Sequence, residues 1–284
     1  MTTATVPAGP QPAGPQPAVP EPAARPLARH PSAVTAVRNS FTLAWRSVLK
    51  IKTNPEDLFG LLLQPIMYLV LFTYVFGGAI AGGTRRYLQF SLPGILVLSV
   101  VFATLGTGMM LSQDISTGVF DQFRALPIAR WTPLAGAILG DLVRYVVSIA
   151  VTLGFGMILG FRIQATALAA TMGCLLLVVF AFAMCWMSAM LGVLVKSATS
   201  VQWWGFLIMF PLVFGSNILT SQATMPGWLQ AFVKVNPVTY LTAAERALLT
   251  GGAAATAVER SLLWAAGIFV VFAPIVVAAY RRRT

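Results

Sequence analysis

Six times between Leu58 and Tyr280 the chain runs through an apolar stretch of roughly twenty residues or more, at about 58–79, 90–113, 133–161, 165–195, 201–220 and 261–280. A helix rising about 1.5 Å per residue needs around twenty such residues to cross a hydrocarbon core of about 30 Å. Lipid offers the backbone no hydrogen-bond partner, so each run has to satisfy its own N–H and C=O groups as a helix. The expected fold is therefore an all-α membrane protein with six transmembrane helices. With 57% hydrophobic and 10% charged residues, the chain is far from the quarter-charged balance of a soluble domain. Its net charge of +11 sits mostly beside the apolar runs, which argues for an anionic leaflet and against a nucleic-acid partner.

Residues 1–31 hold repeated Pro, Ala, Gln and Gly and no apolar core of a signal peptide, so they read as a disordered cytoplasmic tail. Residues 32–284 are the membrane domain. Over 34–52, Val34, Val37, Phe41, Trp45 and Val48 share one helical face, with Arg38, Arg46 and Lys50 towards the other. This predicts an amphipathic helix in the inner headgroup layer, with Phe41, Trp45 and Arg46 as its contacts. Asn54-Pro55-Glu56-Asp57 is a helix start, and Gly77-Gly78 with Gly82-Gly83 mark the turn after the first span. Thr256-Ala257-Val258-Glu259 has the spacing of a capping box before the last span.

The polar connector after the second run predicts a short helix over 114–126. Ile115, Val119, Phe123 and Leu126 form an apolar stripe, and Asp121 and Arg124 are spaced to pair. Asp114 can cap its start and Pro127 stops it. Further on, Met225-Pro226-Gly227-Trp228 and Asn236-Pro237 interrupt two apolar pieces too short to cross, which predicts a re-entrant or interfacial hairpin at 225–252.

These two stretches resemble the ABC-2 type permease family, in the branch of daunorubicin and doxorubicin resistance exporters. The first match is D-x-x-x-G-V-F-D-x-F-R-x-L-P-I-A-R from Asp114 to Arg130, and the second is P-x-W-L, N-P and R-A-L-L-x-G from Pro226 to Gly251. The resemblance implies that Asp114, Gly118, Phe120, Asp121, Phe123, Arg124, Leu126 and Pro127 form a cytoplasmic coupling helix on an ATP-binding subunit. It places Pro226, Trp228, Asn236, Pro237 and Arg246 in an outer hairpin before the last span. It also implies two copies of each subunit, this chain forming a homodimer, and an amphiphilic drug or antibiotic as cargo.

No lysine follows a glycine, so the chain has no phosphate-binding loop of the G-x-x-x-x-G-K-[ST] kind. It offers no nucleophile–base pair either, and the single histidine, His30, cannot build a metal or catalytic cluster. The expectation is a permease without a catalytic residue, metal or cofactor of its own, with ATP and Mg2+ held by the partner. Candidate residues for the path are the ion pair Asp141 and Arg144, the aromatics Phe206, Phe210 and Phe214, and Asn217. An intramembrane Asp–Arg pair also suits a proton-driven carrier, but Tyr145 to Phe161 could nearly cross alone and leave the pair at the cytoplasmic end. Trp203 and Trp204 read as an interfacial belt. With both termini cytoplasmic, ten cations flank the inner ends (Arg38, Arg46, Lys50, Lys52, Arg124, Arg130, Lys196 and Arg281 to Arg283) and six the outer ends. Rival expectations are a lipid or lipid-linked glycan exporter of the same superfamily, and a scaffold that transports nothing.

Overall fold

The computed structural model describes the backbone of residues 55–117, 132–195, 197–220 and 222–283, and within them the side chains outside 55–62, 79–81, 132–137 and 280–283. The helix expected at 34–52 and the connector residues Gly118 to Arg130 lie outside the described residues. With them go Phe41, Trp45, Arg46, Gly118, Phe120, Asp121, Phe123, Arg124, Leu126 and Pro127.

Among the described residues every regular element is helical. They are α1 (Pro55–Ala81), α2 (Thr84–Ala103), α3 (Leu105–Ser116), α4 (Thr132–Ile158), α5 (Ala167–Leu194), α6 (Ala198–Phe214), a 3-10 turn (Gln222–Thr224), α7 (Gly227–Val235), α8 (Pro237–Thr250) and α9 (Ala255–Arg283). Among the described residues, four stretches are long and apolar enough to cross a membrane: Thr84–Ser116, Ile138–Ile158, Ala167–Leu194 and Ala255–Ala279. Leu63–Gly78, the part of the 27-residue α1 whose side chains are described, and Ala198–Phe214 are apolar but shorter. Helices α2 and α3 act as one run, because Thr104 between them keeps a right-handed helical backbone and donates its hydroxyl to the Val101 carbonyl.

Side-chain caps fix the starts of α5 and α6, as a third does for α8. Thr166 accepts the Ala169 amide ahead of α5, and Ser197 accepts the Ser200 amide ahead of α6. The turn after α1 comes at Gly82 and Gly83, and Gly82 has φ 67, a left-handed backbone that costs glycine nothing. Gly77 and Gly78 lie inside α1 instead; a Cβ on Gly77 would meet the Thr84 backbone at 2.8 Å, so that glycine serves close packing on α2.

Three sequence expectations are corrected. Asp114 does not open a helix but lies in the last turn of α3. Thr256 and Glu259 fall inside the first turns of α9, which begins at Ala255, so they form no capping box. The fifth apolar run stops being helical at Phe214 instead of reaching Thr220, and Gly215 closes the helix onto the Pro211 carbonyl.

The α2–α3 run is the axis of the bundle. Every residue from Ser91 to Phe102 is buried, and 78% of its most apolar window is covered, against 17% for α9 at the edge. Helices α1, α4 and α8 pack on α2, while α5 and α6 pack on α3. Between α3 and α5 the backbones touch. A Cβ on Gly108 would lie 2.3 Å from the Ser188 carbonyl oxygen, and one on Gly192 would lie 2.4 Å from that of Gly108. Small residues let two helices approach this closely and gain dispersion contact along the seam.

The contacts sort the connections into two ends. Gly82, Gln164 and Ala165 beneath Leu249, and the 215–254 region gather at one end, where Tyr87 and Arg246 also lie. Ser112 donates to the Val195 carbonyl at the opposite end, where α3 closes and α6 opens. Large apolar side chains such as Met67, Leu71, Val146, Leu175, Leu207 and Val270 stand exposed around the bundle. An apolar girdle of this extent fits hydrocarbon and not water.

Candidate functional site

The most extended chemical feature of the bundle is a ladder of aromatic rings. Phe206, Phe210 and Phe214 are spaced four apart, so helical geometry puts them on one face of α6. Their rings follow one another at centroid distances of 5.4 and 4.4 Å. The row continues onto neighbouring helices. Phe102 of α2 stacks on Phe206 at 5.7 Å, Phe72 of α1 meets Phe214 at 6.5 Å, and Phe76 stacks on Phe72 at 5.7 Å. Six rings thus run from α2 along α6 to α1, within the offset and tilted arrangements that aromatic quadrupoles favour. Phe206, Phe210, Phe214 and Phe76 remain exposed. Trp203 and Trp204 extend the apolar surface on α6, lining with Phe206 and Leu207 an open groove of about 400 Å³. A flat amphiphile could slide along such a surface by exchanging one ring contact for the next, with the indole N–H groups of Trp203 and Trp204 as its polar points.

Asp141 and Arg144 lie elsewhere. Both belong to α4, near the beginning of the apolar stretch Ile138–Ile158, with a carboxylate-to-guanidinium distance of 3.6 Å. Asp141 is buried, and Arg144 lays its guanidinium against Gly106 of α3, where a Cβ would come within 3.4 Å of both terminal nitrogens. One helical turn along, Tyr145 shares a 2.8 Å hydrogen bond with Thr107. The ion pair therefore sits in the α3–α4 seam and does not join the rings.

Beyond Phe214 the chain unwinds through Gly215 to Thr220, and its carbonyls find side-chain donors. Asn236 Nδ2 donates to Leu212 at 2.7 Å and to Gly215 at 2.9 Å. Arg246 donates to Asn217 at 3.1 Å and to Ile218 at 3.5 Å, and Tyr87 to Leu219 at 3.1 Å. Non-helical backbone at membrane depth survives only when protein supplies such partners. The segment also lies flat on α2, since a Cβ on Gly94 would approach the Ile218 carbonyl oxygen to 2.7 Å. Arg246 is itself anchored by the Phe90 carbonyl at 3.2 Å and by the Phe90 ring, 4.0 Å below its Cζ. Asn217 is thus a backbone ligand of Arg246 beside the last ring.

Asn236 does a second job. Its Oδ1 accepts the Val238 amide at 2.9 Å and caps α8, with Pro237 in the first helical position where no N–H is required. Of the two short helices it separates, α7 meets the 3-10 turn, while α8 packs on α9, α5 and α2. Trp228 on α7 is 75% exposed and Pro226 is exposed as well, so neither joins the latch that Asn236 and Arg246 form.

Residues 38–249 match the family model described as ABC-2 type transporter. The chain belongs to the ABC-2 type transporter family. Its relatives include the daunorubicin resistance ABC transporter permease protein DrrB1 of Streptomyces coeruleorubidus, 42% identical over 89% of each chain. The probable doxorubicin resistance ABC transporter permease protein DrrC of Mycobacterium tuberculosis is 28% identical over 78% of this chain and 81% of its own. The putative transport permease ycf38 of Cyanophora paradoxa is 28% identical over 74% of each. Family membership and the four long apolar helices make this ABC-2 chain a multi-pass membrane protein.

Sequence reasoning found the three α6 rings of this ABC-2 chain but missed Phe72, Phe76 and Phe102. Phe72 and Phe76 have the four-residue spacing of the α6 rings, whereas Phe102 has no neighbour in sequence to announce it. Tyr87 and the Thr107–Tyr145 pair were missed too, because their partners lie many residues away.

Proposed function

We propose that this chain is the membrane-spanning permease subunit of an ATP-driven exporter of flat amphiphilic drugs, of the daunorubicin and doxorubicin kind. The observation that carries the reading is the six-ring ladder, four of its rings exposed, in a chain similar to drug-resistance permeases. Planar polycyclic cargo recovers dispersion and quadrupole contact at each ring, about 0.5–1.5 kcal/mol per aromatic pair beyond area burial. Bound singly, such contacts stay weak enough for the cargo to move on.

Energy comes from a separate ATP-binding subunit, which holds ATP and Mg2+. Two permeases and two ATP-binding subunits make the working unit, with the ladders of the two permeases flanking a shared path. Helix α1, 27 residues long, and helix α6 complete six crossings, and both termini are cytoplasmic. The cations beside Lys196, Arg124 and Arg281 to Arg283 favour that orientation. The connector from Asp114 to Arg130 then faces the cytoplasm. Phe120, Phe123 and Leu126 supply its apolar contact with the ATP-binding subunit, while Asp121 and Arg124 set its register. ATP-driven closure of the partner pushes this connector and shifts α4 against α6.

The test is ATP-dependent daunorubicin uptake into inverted vesicles holding this chain and its co-purified ATP-binding subunit. Phe210→Ala should lower uptake about tenfold at unchanged assembly, because the side chain is exposed. Arg124→Glu should leave ATP hydrolysis running and stop uptake. Uptake that needs no ATP-binding subunit and stops when the proton gradient collapses would overturn the proposal in favour of a carrier working through Asp141.

A further inference from the structure

Glu245 stands in the middle of α8 and is fully buried, at 0% exposure. The adjacent Arg246 does not neutralise it. That guanidinium is turned to Phe90, Asn217 and Ile218 on α2 and the unwound segment. The carboxylate faces α5 at Gly173, where the opposing helix has no side chain. A Cβ there would come within 3.0 Å of both carboxylate oxygens. Neither oxygen has a hydrogen-bond partner among the described residues. A bare carboxylate sealed this way carries a large desolvation penalty, whereas a neutral carboxyl carries far less.

The groups around the seam leave it without a counter-charge. On α5 the titratable neighbour is Cys174, a thiol. On α9, Arg260 lies over the Tyr240 ring, 5.4 Å from its centroid, and Glu259 is exposed. On α2, Tyr87 and Phe90 face Arg246.

We propose that Glu245 is a proton-binding site that locks α8 against α5, seated as a neutral carboxyl at Gly173 and releasing its proton to water when α8 lifts away. Closing takes up one proton, and opening returns it as a carboxylate forms. The site is therefore a proton-linked latch on the end of the bundle that carries α8. It rests on the α5–α8 seam and does not depend on which cargo is carried or on what drives the cycle.

Burial pushes the Glu245 carboxyl from its ordinary 4.5 up to about 8. Lifted into water it returns towards the ordinary value. Between these two values the closed seam holds one proton more than the open one. The opening equilibrium should then rise about tenfold per pH unit and level off once pH exceeds the closed-state value. The lock is complete below 4.5 and lost as pH climbs to about 8.

Hydrogen–deuterium exchange of the full chain in lipid nanodiscs reads this directly. Peptides covering 237–250 are followed from pH 5.5 to 9, each rate corrected for intrinsic amide chemistry. The wild type should lose α8 protection about tenfold per unit up to about pH 8 and little beyond, by one-proton linkage. Glu245→Gln keeps the neutral shape and should abolish the slope while preserving protection at low pH. Glu245→Ala should also be flat. A flat wild-type profile overturns the proposal whatever the variants do, and so does a wild-type slope retained in Glu245→Gln.

Discussion

Asn236→Ala removes three hydrogen bonds at once, because one side chain caps α8 and holds the unwound end of α6. The cap to Val238 is 2.9 Å long, and the two bonds to Leu212 and Gly215 are 2.7 and 2.9 Å, around a residue 1% exposed. Loss of an Asn cap costs about 1 kcal/mol, and each buried carbonyl left without its donor costs about 1 kcal/mol more. The sum of about 3 kcal/mol corresponds to roughly a hundredfold shift of the local opening equilibrium at about 1.4 kcal/mol per decade. Hydrogen exchange of the full chain in nanodiscs should show that loss of protection in peptides covering 212–220 and 237–241, with 91–102 unchanged. Asn236→Asp separates the two roles. It keeps the cap acceptor but turns an oxygen towards two carbonyl oxygens, so it should open the region at least as much as alanine does. A loss under threefold in Asn236→Ala, or wild-type protection in Asn236→Asp, would refute the assignment of Asn236 as the joint between α6 and α8.

Gly108→Val would drive a branched side chain into the Ser188 backbone, whose carbonyl oxygen already lies 2.3 Å from the Cβ position. It should cost well over the roughly 1–3 kcal/mol of ordinary overpacking and sharply reduce the yield of monodisperse protein on size exclusion, with Gly154→Val, which faces open space, as the tolerated control. Tyr145→Phe and Thr107→Val each break the 2.8 Å bond between α3 and α4, at about 1–2 kcal/mol for the stranded hydroxyl. The double variant should cost no more than either single one, read as the thermal midpoint in a common detergent; additive losses would show that the pair is not coupled. Gly173→Leu should displace the Glu245 carboxyl from the α5–α8 seam and flatten the pH slope of α8 exchange without touching α2.

The sequence by itself determined the fold class. Apolar runs of membrane-crossing length admit one backbone solution, because lipid leaves each segment to bond itself. Asn236-Pro237 and the four-residue spacing of Phe206, Phe210 and Phe214 were equally legible, since each is a local relation along one helix. Asp114 and Thr256 misled because a capping residue signals a start only where no helix already runs: α3 continues through Asp114, and α9 has begun at Ala255, one residue before Thr256.

What only the tertiary structure decided were the relations between helices. Nothing near Phe102 in the sequence says that it stacks on Phe206, and nothing near Gly173 says that a carboxylate will rest against it. The unwinding after Phe214 is the clearest case. Residues 215–220 read as the tail of an apolar helix, and helical hydrogen bonding would have satisfied them at no distance. Asn236, Arg246 and Tyr87 instead bring donors from far along the chain to those carbonyls. Local pattern settles which segments must be helical; where a helix stops is settled by whether distant side chains can take over its hydrogen bonds.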